Sequence, residues 1–199
     1  MDSNSIKFVL AAGAALALGG CSRADKDESQ QSRATANDLA SSHTSAEPIA
    51  SAESAAPGSI AHDADVMVAA ANGGMKTLRA GKNGWTCMPD DPSTPGNDPM
   101  CLDHNALKWA TAWVGHTSPP DDQPGVAYML QGGTDPSNTD PFATKPASAA
   151  GWIKTGPHLM IVGSKAVLAG YPAEATPDTS APYVMWAGTS YAHLMVPVQ

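Results

Sequence analysis

Two histidines open short apolar runs in the same way, His158-Leu159-Met160-Ile161-Val162 and His193-Leu194-Met195-Val196. Residues two apart on an extended strand share a face. Each imidazole is thereby expected beside a thioether, a donor pair that suits Cu(I). Methionine is also an ordinary filler of apolar cores, and its presence beside one histidine is weak evidence for a ligand set. The sequence therefore assigns no metal ligand and no cofactor. A His/Met copper carrier stands only as a lesser alternative.

The segment from Gly132 to Gly151 carries the other polar groups suited to recognition. Asp135, Asn138 and Asp140 offer oxygens in a faint echo of a calcium loop, without the turn glycine or terminal glutamate of an EF-hand. Asp-Pro and Asn-Thr pairs are also common turn formers. Long loops in small domains are often binding loops. The expected binding set is Asp135, Asn138, Asp140, His158, His193 and Trp186, with the indole lining a groove. A hydrolase using Asp135, Asp140, His158 and His193 is the alternative. No Gly-x-Ser-x-Gly elbow, His-Glu-x-x-His pair, phosphate loop or dinucleotide fingerprint supports it.

Short elements must position these groups, because Gly and Pro punctuate the chain throughout. Met75–Arg79 and Trp85–Met88 read as a strand pair turned at Lys82-Asn83-Gly84. Asp103 reads as the N-cap of a helix to about Val114, with Leu102, Ala106, Trp109, Ala110 and Trp113 on one face. Further strands are expected at 126–131, 158–162, 183–187 and 193–198, with a helical turn at 164–169. Tyr128-Met129-Leu130-Gln131-Gly132-Gly133-Thr134 and Tyr183-Val184-Met185-Trp186-Ala187-Gly188-Thr189 echo each other, and each leads to a His-Leu-Met strand. Two similar hairpins in one sheet follow. The fold class is α+β, a small antiparallel sheet with one main helix and long Pro/Gly-rich loops.

The N-terminal stretch reads differently. A short apolar run from Phe8 ends in Leu18-Gly19-Gly20-Cys21, which resembles a bacterial lipobox. Its length suits a signal peptide and falls short of a membrane span. The resemblance implies a signal peptide over 1–20, cleavage before Cys21 and acylation (palmitate among the chains) of that cysteine. Two or more chains hold a protein stably on a membrane. Ser22, in place of Asp, implies the outer membrane and its periplasmic face. From there to Gly58 the chain is poor in large apolar residues and is expected to be a disordered tether over 21–58. One globular domain would then span 59–199. Its seven Lys and Arg stand against twelve Asp and Glu, a net of −5, and this balance excludes nucleic acid as a partner.

With Cys21 assigned to lipid, Cys87 and Cys101 remain as an even pair in an exported domain and read as a disulfide. The runs Asn83-Gly84-Trp85-Thr86-Cys87, Pro89 to Cys101, Tyr128 to Gly133, Asn138 to Ala143 and His193 to Pro197 resemble an uncharacterised family of exported bacterial proteins. That resemblance implies an exported domain and carries over no activity, cofactor or catalytic residue. The functional expectation is a lipid-anchored envelope binding module whose partner is an envelope protein, a glycan or a small ligand.

Overall fold

The chain was analysed as a computed structural model that describes residues 48–70, 74–147 and 151–198. The lipobox, Cys21 and the greater part of the expected tether lie outside the described residues.

The sheet is built from short strands, and over residues 125–129 and 158–162 buried positions alternate with partly exposed ones. The strands are β1 (Asp65–Ala69), β2 (Met75–Arg79), β3 (Thr86–Met88), β4 (Met100–Leu102), β5 (Asp122–Met129), β8 (His158–Ser164), β9 (Tyr183–Met185) and β10 (His193–Pro197). They form one eight-stranded sheet in the order β2-β1-β3-β4-β5-β8-β10-β9. Every neighbouring pair is antiparallel except β1 with β3, which is parallel. A separate ribbon pairs β6 (Gly133–Asp135) with β7 (Ile153–Thr155). The class is α+β, and the sheet is larger than expected. All described residues belong to one compact unit.

The expected hairpin of Met75–Arg79 with Trp85–Met88 does not form, because β1 lies between the two strands. Residues 80–84 cross over the start of β1. Gly81 N–H donates to Asp65 Oδ1 at 2.8 Å and Lys82 N–H to Asp63 O at 2.8 Å. A Cβ on Gly81 would stand 2.2 Å from Asp65 N, so only glycine fits this crossing. Asn83 and Gly84 do make a turn, with Gly84 at φ +78 and Asn83 Oδ1 accepting from Trp85 N–H at 3.1 Å. That turn delivers β3 to the far side of β1.

The helix α3 (His104–Val114) forms where its cap and apolar stripe place it. Asp103 Oδ1 accepts from Ala106 N–H at 2.8 Å, a standard N-cap contact. Its Oδ2 accepts from Val126 N–H at 2.9 Å, so one carboxylate ties the helix start to β5. The helix packs on a sheet face crossed by one continuous buried row, Thr86, Leu102, Ala127, Met160, Met195 and Tyr183. Trp109 fills the space between them.

The tether boundary is corrected. Residues expected to be disordered up to Gly58 instead form the helix α1 (Pro48–Glu53), followed by the short α2 (Gly58–Ala61). Ala52, Ala55, Ala56, Ala61 and Ala64 pack against Val66, Cys87 and Cys101 on the opposite sheet face. Alanine is small enough for helix and sheet to approach closely, and burial of many small methyls replaces a few large side chains. Arg79 locks the arrangement, donating to Glu53 Oε1 and, through Nη2, to Ala61 O at 2.7 Å and Ala64 O at 3.1 Å. The Arg79 guanidinium holds the Glu53 carboxyl below the usual range.

Cys87 and Cys101 are directly paired across β3 and β4 and joined by the expected disulfide. With a sequence separation of 14, the loop-entropy model assigns the link about 3 kcal/mol. No helix among the described residues is long and apolar enough to cross a membrane.

Candidate functional site

The expected site residues divide into two groups and one outlier. The first group sits where β6 and β7 fold over the end of β8. Gly133 pairs with Thr155, and the turn after β7 delivers His158 to the start of β8. Asp135, at the end of β6, is half-buried, and Asp98 from the disulfide-closed loop lies within electrostatic range. Desolvation pushes the Asp135 carboxyl up to about 7, and the Asp98 charge adds to the effect. Burial also raises the Asp98 carboxyl, against hydrogen bonds from Thr94 Oγ1 at 2.6 Å and Asp91 N–H at 3.1 Å. Tyr183 shares a 2.7 Å hydrogen bond with Thr155, and burial pushes its phenol up to about 12.

His158 is 1% exposed, and its Nδ1 lies 2.7 Å from Gly156 O. A carbonyl can only accept, so the proton sits on Nδ1 and Nε2 carries a bare lone pair. Burial lowers the affinity of this imidazole for a second proton. His193 repeats the arrangement, with Nδ1 3.0 Å from Tyr191 O and Nε2 buried without a partner. Its pKa is pushed down to about 4 by burial.

The second group is aromatic. The His193 ring meets Trp109 and Trp186 edge-on, at centroid distances of 5.1 and 4.9 Å. Trp113 stands 5.0 Å from Trp186. Trp186 is core rather than groove wall, and its backbone holds a left-handed φ of 56. Its N–H donates to Asn138 O at 2.8 Å and its Nε1 to Ser137 O at 3.0 Å. Asn138 is buried, with Nδ2 donating to Glu174 O at 2.6 Å and Val184 O at 3.1 Å. Asn138 therefore anchors the loop through Nδ2, while its Oδ1 is buried without a partner.

Asp140 is the outlier. It is exposed and closes its own turn by accepting from Phe142 N–H at 2.9 Å. The loop tip that it shapes presents Phe142, 40% exposed, which lies flat on His116 at a centroid distance of 4.0 Å and an interplanar angle of 8°. Tyr191 braces the same ring edge-on at 5.3 Å. Phe142 and His116 were missed as site residues. A phenylalanine in a loop of Asp, Asn, Pro and Thr was the available signal.

The four residues of the hydrolase alternative do not form one cluster, since Asp140 is at the surface, although the two buried imidazoles lie within electrostatic range of each other. A shallow depression of about 430 Å³, lined by Lys165, Leu168, Gly188, Thr189, Ser190 and Ala192, includes none of them. Among the described residues, no three His, Cys, Asp or Glu side chains come together as a metal-binding group. No protein-family model, curated protein or solved structure matches the chain, so the roles of these residues rest on their own geometry.

Proposed function

We propose that the protein is a lipid-anchored binding module on the periplasmic face of the outer membrane, held through Cys21, and that it engages a glycan of the cell envelope. The observation that carries the reading is Phe142, an apolar ring left accessible at a loop tip yet fixed against His116. A fixed ring binds at low entropic cost, because its position is set before the ligand arrives. The neighbouring Asp140 and Thr139 are exposed and supply oxygens for sugar hydroxyls, while the ring supplies an apolar surface for the C–H face of a pyranose.

The reading is tested by co-sedimentation of the full-length protein with purified peptidoglycan. Binding by the wild type and at least tenfold weaker binding by Phe142→Ala is the expected result. Equal binding by both proteins, or none by the wild type, would overturn it. The anchor is tested separately by labelled palmitate, which is expected on the wild type and absent from Cys21→Ser.

A further inference from the structure

The Nε2 lone pair of His158 is buried with no protein partner. Such an atom has a cost unless something occupies it. Its surroundings are sulfur-rich. Met129 is the direct cross-strand neighbour of His158 on β5. Met160 follows two residues along β8 on the same buried face, and Met195 pairs directly with Met160 from β10. Side chains directly opposite on neighbouring strands have Cβ atoms about 5 Å apart, and diagonal neighbours lie within reach of a long side chain.

Contacts at Gly133 show that two of these groups converge. A Cβ built there would stand 3.0 Å from Met129 Cε and 3.5 Å from His158 Cε1. The missing side chain leaves that space open to both. The imidazole is also prepared as a ligand. Metal-binding histidines commonly donate their second ring N–H to a backbone carbonyl, which fixes the tautomer and aims the free nitrogen. The contact from Nδ1–H to Gly156 O does this for His158.

We infer that His158 Nε2 with the thioethers of Met129 and Met160 forms a site for a soft monovalent cation, Cu(I) or its analogue Ag(I). One imidazole and two thioethers match such ions and disfavour Zn, Mg and Ca, which prefer thiolate, carboxylate or several nitrogens. No proton has to leave Nε2 for the ion to bind. Met195 extends the sulfur surface toward the next strand. His193 has the same tautomer, but its ring packs edge-on against Trp109 and Trp186 and is not assigned to the site. The inference is independent of the glycan reading, since no residue is shared.

The test uses Ag(I), which needs no reductant and spares the disulfide. Full-length protein carrying Cys21→Ser removes the one thiol outside the disulfide. The expected result is one equivalent bound with sub-micromolar affinity, and a ¹⁵N shift at His158 Nε2 but not at His193 Nε2. Met129→Leu and Met160→Leu conserve volume and are expected to keep the fold. Each is expected to weaken binding at least tenfold, while His193→Leu leaves it unchanged. An unmoved His158 Nε2 resonance, or wild-type affinity in the double Met-to-Leu variant, would overturn the assignment.

Discussion

Trp113 and Trp186, with rings 5.0 Å apart, donate their indole N–H groups to opposite ends of one loop. Trp186 Nε1 reaches Ser137 O at 3.0 Å, and Trp113 Nε1 reaches Pro141 O at 2.8 Å. One indole comes from the helix α3 and the other from the end of β9. The loop tip carrying Phe142 is thereby held by two different elements that touch each other. This explains how a segment with little regular structure presents a ring in a fixed position.

Trp113→Phe keeps an aromatic ring but leaves Pro141 O without its donor. The expected cost is about 1 kcal/mol of stability. Amide exchange over residues 139–143 should accelerate while that of β8 and β10 stays unchanged. Uniform acceleration across the sheet would instead mean that the indole acts through the core.

Asp135 makes stability fall with rising pH near neutrality. Its folded pKa of about 7 lies above the ordinary carboxylate value, so its contribution is complete below that ordinary value and is lost as pH rises through 7. Between pH 6.5 and 8 the loss is about 0.8 kcal/mol, or roughly 2 to 3 °C in Tm. Asp135→Asn should flatten the curve in this interval. An unchanged slope in the variant would exclude Asp135 as its source.

His193 acts in the opposite direction and at lower pH. Its pKa is depressed to about 4, so its contribution is present above the unfolded value and is lost as pH falls through the folded one. The full loss is on the order of 3 kcal/mol between about pH 6.5 and 4. His193→Leu should resist acid better than the wild type over that range, as followed by denaturant midpoints. Parallel curves for the two proteins would contradict a buried neutral imidazole.

Gly125 is a packing requirement. A Cβ there would stand 2.2 Å from Ala106 N, a helix backbone atom that cannot rotate away. Gly125→Ala should therefore push α3 off β5 and cost about 3 kcal/mol or more. Gly84→Ala meets no atom within 4 Å and is the comparison for the strain of a positive φ alone. Similar losses for both would argue that the helix relaxes around the added methyl.

Local signals carried the parts of the fold that were readable in advance. Asp103 with the stripe of Leu102, Ala106 and Trp109 marked α3, and the His-Leu-Met runs marked β8 and β10. The segments around α1 were misread because alanine lacks the bulk by which buried helices are usually noticed. Strand β1 was passed over, and with it the reason that β2 and β3 cannot pair. At the site, the spacing of His158 and Met160 was visible. The link of Asp135 with Asp98 was not, because Asp98 lies far away in sequence inside a loop without pattern. The burial of Asn138 was equally hidden, since its partners Glu174 O and Val184 O are backbone atoms of distant segments.

The position of β10 between β8 and β9 bears on the order in which the chain can assemble. Strand β9 precedes β10 in the chain, yet among the described residues β10 is its only neighbour in the sheet. A chain emerging from its N-terminal side can therefore stack β1 to β5 and β8 as they appear, but β9 must wait. Arrival of His193–Pro197 then secures two strands in one step and seals Tyr183 and Met195 into the row that crosses the sheet.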